Sequence, residues 1–143
     1  MAVVTGGGSG IGRAIAERFA QEGAKVLIVG RQESKLQEVA AENSNISYVA
    51  GDLTKTESVT RVIDTVKERF GGQLDILVNN AGWCPVQSIK DVTLADYDTA
   101  FSLDVRSLVD MTIQSLPLLI QSKGNMINLS TIGVTHRHYN LSM

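Results

Sequence analysis

The stretch Val3-Val4-Thr5-Gly6-Gly7-Gly8-Ser9-Gly10-Ile11-Gly12 decides how this chain reads. Two β-branched residues lead into a glycine-rich run broken by Ser9. An amphipathic pattern follows at once, with Ile11, Ile15 and Phe19 recurring every four residues and Arg13, Glu17 and Arg18 between them. That order is a strand, a tight turn and a helix N-terminus. Glycine suits such a turn because it adopts backbone angles that a Cβ forbids and lets a ligand approach the main chain. The helix start offers unpaired N–H groups and the positive end of its dipole. The natural ligand is a phosphate or pyrophosphate, and Gly6, Ser9, Gly10, Ile11 and Gly12 are the residues placed to meet it.

Three phosphate-binding patterns can be tried on these residues. A P-loop nearly fits from Gly7 to Gly12 but then needs Lys and Ser/Thr, where the chain has Arg13 and Ala14. The strict G-x-G-x-x-G pattern fails because Gly8-Ser9-Gly10-Ile11-Gly12 is followed by Arg13. The spacing that fits is T-G-x-x-x-G-x-G, carried by Thr5, Gly6, Gly10 and Gly12.

Working outward, 143 residues make one domain with room for a core. Hydrophobic residues are 43%, charged residues 20% and the net charge is −2, an ordinary globular balance. No basic run points to nucleic acid, and no apolar run is long enough to span a bilayer. No signal peptide is visible, and Cys84 is the sole cysteine, so a reducing cytoplasm is the expected location.

Further strands are expected over Lys25–Val29, Ile46–Ala50, Ile76–Val78 and Met126–Leu129. Helices are expected over Ser34–Asn43 and Thr56–Phe70, with Val59, Val62, Ile63, Val66 and Phe70 on one face of the second. A long helical stretch from Leu94 to Gln121 is expected to be interrupted at Pro117. Its apolar residues, among them Phe101, Leu103, Met111, Ile113, Leu116 and Leu119, cover more than one face, which points to a subunit contact as well as the sheet. Strands alternating with helices imply right-handed crossovers, so the expected fold class is α/β, a Rossmann-type doubly wound parallel sheet with its ligand at the carboxyl ends of the strands.

Candidate site residues follow the strands. Gly30 and Arg31 follow the second strand, where an acidic residue would bind ribose hydroxyls and repel a 2′-phosphate. Arg31 can instead grip a phosphate bidentately. That favours NADP, with NAD the alternative, although no basic residue joins Ser9 in the glycine turn. Asp52-Leu53 follows the third strand, where turn or cap chemistry with Thr54 or Thr56 competes with a ligand role. Asn79-Asn80-Ala81-Gly82 follows the fourth, with amides able to bridge loops and small residues leaving room for a flat ligand.

The glycine turn and the Asn79–Gly82 motif, at this separation, resemble the short-chain dehydrogenase/reductase family from Ala2 to about Gly133. The resemblance implies an NAD(P)-binding Rossmann domain over residues 1–143 that stops after the fifth strand. It also implies hydride exchange between NADP(H) or NAD(H) and a small-molecule alcohol or ketone, and a homo-oligomer for a full-length chain. It gives Asp52 an adenine contact, while Asn79, Ala81 and Gly82 line the cofactor ribose and support the central sheet. Asp104 falls where the family usually has an Asn that helps hold a proton-relay water. Ser130, or Thr131 on a different alignment, matches the serine that hydrogen-bonds the substrate oxygen. The family's tyrosine and lysine complete the proton transfer, because a phenol without a nearby cation is a poor base near neutral pH. Tyr139 imitates that tyrosine but lies close to Ser130 and is followed by Met143 where the lysine belongs. The expectation is therefore a fragment whose catalytic pair lies downstream and which is inactive alone. The alternative is a non-catalytic dinucleotide-binding module. His136 and His138 form a His-x-His pair without an evident third ligand, so no metal is expected. Trp83 and Cys84 border the Asn79–Gly82 motif as loop residues.

Overall fold

Helices that return the chain across a sheet force successive strands to run the same way. A computed structural model, which describes residues 1–84, 88 and 90–131, shows this arrangement. The order is β1 (Ala2–Thr5), α1 (Gly10–Gln21), β2 (Val26–Gly30), α2 (Glu33–Glu42), β3 (Ile46–Ala50), α3 (Thr56–Phe70) and β4 (Ile76–Asn79). Then come α4 (Leu94–Ala100), a π-helical turn (Phe101–Arg106), α5 (Ser107–Ser122) and β5 (Asn125–Asn128). All strand pairs are parallel, in the spatial order β3-β2-β1-β4-β5. The chain builds outward from β1 in one direction and then from β4 in the other. A crevice opens above the carboxyl ends of β1 and β4, where the direction reverses.

Period-two alternation divides the strands between two cores. Val3, Leu27, Val29 and Leu77 face α3 and α5, meeting Val59, Val62, Val66, Met111 and Leu119. Val4, Val26, Ile28 and Val78 face the other side, meeting Ala16 and Ala20 of α1 and Leu36 and Val39 of α2. Burial on both faces is why these strands read as continuous apolar runs rather than alternating ones.

Three details differ from the sequence reading. In α1 the buried residues are Gly12, Ala16 and Ala20, while Ile11 is 66% exposed and Ile15 and Phe19 pack at the edge of the core. Small residues face the sheet because the helix start lies hard against the glycine turn. A Cβ on Gly12 would collide with the Gly6 carbonyl oxygen and the Asn80 side-chain amide. Pro117 does not interrupt α5, which runs through it. Pro117 and Ile113, whose carbonyl the proline leaves without its helical donor, both lie on the exposed side, where water can take that hydrogen bond. The interruption falls earlier instead, at the π-helical turn Phe101–Arg106.

The two-sided apolar pattern of this helical stretch resolves into a buried face and a bare one. Leu103, Met111, Leu118 and Leu119 are buried, whereas Tyr97, Phe101, Val105, Val109, Ile113, Leu116 and Ile120 form an exposed row. Tyr97 and Phe101 stack with ring centroids 4.2 Å apart. Among the described residues no helix is long and apolar enough to cross a membrane.

The close approach at Gly12 predicts that Gly12→Ala lowers stability by about 1–3 kcal/mol through overpacking. Denaturant unfolding measures it, and an unchanged midpoint would mean that α1 can move away from the turn at no cost.

Candidate functional site

A cavity of about 380 Å³ opens at the carboxyl ends of β1, β2, β3 and β4. Its wall comes from the glycine turn (Gly6, Gly8, Ser9), the segment after β2 (Gly30, Arg31, Gln32, Lys35, Leu36) and the segment after β3 (Gly51, Leu53). Asn80, Ala81 and Gly82 after β4, with Leu103 of the π-helical turn, close the other side.

Thr5 holds the glycine turn and the β4 loop together. Its hydroxyl oxygen accepts from the backbone N–H of Asn80 at 2.9 Å and of Ala81 at 3.0 Å, and Asn80 Nδ2 donates to the Thr5 carbonyl at 2.9 Å. Gly6 reverses the chain at φ +68°, where a Cβ would stand 2.8 Å from Asn80 Nδ2. A left-handed angle and a tight neighbour together require glycine there. Ser9 takes the N-cap position of α1 but makes no side-chain capping bond, so its hydroxyl leaves the first-turn amides to another acceptor. An anion in the cavity would be that acceptor.

The site residues expected from sequence divide into groups. Gly6, Ser9, Arg31, Leu53, Ala81 and Gly82 line the cavity. Gly10, Ile11 and Gly12 form the first turn of α1 beside it rather than its wall. Asn79 is buried, and its Nδ2 donates to Asn128 Oδ1 at 2.9 Å, bracing β4 against β5. In the Asp52-Leu53 pair, Asp52 Oδ1 accepts from the Thr54 amide at 3.0 Å and from the Thr54 hydroxyl at 2.8 Å. Burial would raise the Asp52 carboxyl, but the two Thr54 hydrogen bonds and the charges of Arg31 and Lys55 outweigh it and hold the carboxyl below its ordinary value. Gln32, Lys35, Leu36 and Gly51 are wall residues that sequence reasoning passed over, and Thr5 and Asn80, both within the quoted motifs, were not assigned the clamp they form with each other. Lys35 had a signal, a second cation four residues after Arg31 and in the first turn of α2.

Asp104 is half-buried rather than on an open helix face. Its Oδ1 accepts from the backbone N–H of Trp83 at 2.7 Å, tying the π-helical turn to the β4 loop. Burial raises the Asp104 carboxyl above its ordinary value, against the smaller opposing effect of the Trp83 amide. Ser130 and Thr131 are exposed just beyond β5 and do not line the cavity, while the Leu129 amide still bonds the Asn79 carbonyl at 2.9 Å. Gly133, His136, His138, Tyr139 and Met143 lie outside the described residues. Among the described residues no three His, Cys, Asp or Glu side chains gather as metal ligands.

The Asp104 geometry fixes the sign of a pH effect. The folded state binds this proton more tightly than the unfolded chain, so the group supports the fold most at low pH. That support is lost as pH rises from the ordinary carboxyl value through the raised one. Asp104→Asn keeps an oxygen for the Trp83 amide and removes the charge. It should melt at or above the wild-type temperature near pH 7, with the advantage fading toward about pH 4. A variant less stable near pH 7 would mean that the buried charge supports the fold.

The model of the short chain dehydrogenase family matches residues 1–142. An uncharacterized oxidoreductase of Staphylococcus aureus (strain MRSA252) is 38% identical over 135 residues, covering 92% of this chain and 58% of that protein. The crystal structure of the KRED1-Pglu enzyme superposes with a TM-score of 0.92 at 32% identity, covering 99% of this chain and 60% of the other. The closed form of serine dehydrogenase complexed with NADP+ gives 0.88 at 27% identity, covering 97% of this chain and 57% of the other. The chain therefore spans under two thirds of the length of each of these proteins.

Proposed function

We propose, from the premise that the chain belongs to the short chain dehydrogenase family, that its cavity holds a nicotinamide dinucleotide, NADP(H) in preference to NAD(H). In the whole protein that cofactor would exchange hydride with the carbon of a small alcohol or ketone. The observation that carries the cofactor choice is the pair Arg31 and Lys35, which both line the cavity just after β2, Arg31 in the connection and Lys35 in the first turn of α2. Two cations there suit a 2′-phosphate, and no acidic side chain lines the cavity among the described residues. The cavity fits the rest of the group as well. The uncapped start of α1, with Ser9, Gly10, Ile11 and Gly12, offers amides to the diphosphate, and a side chain at Gly6 would meet Asn80.

When bound, the nicotinamide supplies hydride acceptance or donation. The chain's own residues do the rest. Leu53, on the cavity wall, would pack beside the adenine, while Asp52 holds that turn in place through Thr54. Asn80, Ala81 and Gly82 form the wall along the ribose, while Asn79 braces the sheet behind them. Ser130, or Thr131, donates a hydrogen bond to the substrate oxygen. In the family the proton donor to that oxygen is a tyrosine, whose phenol a nearby lysine brings into range near neutral pH. A binding module without turnover is the second reading, favoured by Asp104 at a position where the family usually carries an Asn. Supplying NADPH with a panel of ketones and aldehydes separates the two, because only the enzyme oxidises it.

Arg31→Ala tests the cofactor choice. Losing charge-assisted bonds worth about 1.5–3 kcal/mol should weaken NADPH about ten- to hundredfold at low salt and leave NADH nearly unchanged. Equal weakening of both cofactors would place the 2′-phosphate elsewhere. The exposed row from Tyr97 to Ile120 fits the same row of a second copy, because antiparallel pairing about a two-fold axis sets an identical ridge against itself. Ile113→Glu should convert the whole protein to a smaller species in light scattering. An unchanged mass would move the contact off this face.

A further inference from the structure

We propose that Asp104 biases the cavity toward the oxidised, cationic form of the bound nicotinamide; this rests on the dinucleotide reading above. The cavity has a basic end and a neutral end. Arg31 and Lys35 are its only charged lining residues among those described, and both belong to the segment after β2. The opposite end is Asn80, Ala81, Gly82 and Leu103. A dinucleotide held by its 2′-phosphate at Arg31 and by its diphosphate at the glycine turn must extend its remaining ring toward that neutral end.

Asp104 stands directly behind this end. It follows Leu103 in the π-helical turn, and its Oδ1 takes the Trp83 amide at 2.7 Å. A Cβ on Gly82 would lie 3.4 Å from Asp104 Oδ1 and 3.9 Å from its Cγ. The glycine therefore puts no side chain between the carboxylate and the cavity wall. A half-buried charge is screened far less than one on the surface. The oxidised nicotinamide carries a positive charge and the reduced ring carries none, so the carboxylate attracts only the oxidised form. Its repulsion of the phosphates is common to both forms and cancels in their ratio. Across one backbone layer, Coulomb attraction at an intermediate dielectric favours the oxidised form about three- to tenfold. Each tenfold lowers the potential of the bound two-electron couple by about 30 mV. An Asn at this position would accept from Trp83 equally well and exert no such field. Asp104 is thus a positioning residue whose charge sets a redox preference.

The test is calorimetric titration of the whole protein and of Asp104→Asn with NADP+ and with NADPH, and with NAD+ and NADH if that pair binds more tightly. The dissociation constant of the oxidised form relative to the reduced form should rise about three- to tenfold in the variant. Asp104→Thr, which keeps an oxygen acceptor, replaces the variant if it fails to fold. An unchanged ratio overturns the proposal and leaves the dinucleotide reading standing. Failure of the wild-type protein to bind any of the four forms overturns both.

Discussion

The approach of the α1 N-terminus to the glycine turn, with no side chain between Gly12 and the Gly6 carbonyl, is the constraint on which the site depends. It places the helix start directly over the end of β1. It also brings the Asn80 amide within reach of the Thr5 carbonyl, so the β4 loop is pinned to the turn through Thr5 and Asn80. One sterically tight corner thus fixes two walls of the cavity at once. The third wall, after β2, follows from the parallel register of Thr5 with Val29. The helix start keeps its amides unpaired by side chains, because Ser9 makes no capping bond. A protein that needed only a tight turn would gain stability by capping that helix.

Charge is distributed unevenly along the cavity. Cations stand at the β2 end, backbone amides at the turn, and neutral small residues at the β4 end with a carboxylate behind them. That order is the one the proposed NADP(H) would need, with its 2′-phosphate at the cations, its diphosphate at the turn and its nicotinamide at the neutral end. The π-helical turn matters here because it advances Leu103 to the wall and Asp104 to the Trp83 amide within two residues. π-helical turns are concentrated at functional sites because their uneven winding aims side chains that a regular helix would direct elsewhere.

Much of this was legible in the sequence. The strand Ile46–Ala50 and the helix Thr56–Phe70 appear with the expected bounds, because short apolar runs and a strong four-residue period leave little choice. The glycine turn and Asn79–Gly82 were legible because small residues after strands announce close backbone approach. The buried face of α1 was not. Ile11 and Phe19 outrank Ala16 and Ala20 in hydrophobicity, but the close contact at Gly12 decides which side faces the sheet. Pro117 misled for a related reason, since the cost of a proline depends on whether water reaches the carbonyl it strands. The roles of Thr5 and Asn80 depend on pairing across more than 70 residues, which no local pattern records. The split within Asn79-Asn80, one bracing β5 and one clamping the turn, likewise appears only once β4 and β5 are paired.

A structure of the protein with NADP(H) bound tests the central claim most directly. The account predicts the diphosphate against the Ser9–Gly12 amides, the 2′-phosphate between Arg31 and Lys35, and the nicotinamide beside Gly82. A cofactor whose phosphates lie away from the start of α1, or whose nicotinamide lies at the Arg31 end, would contradict it.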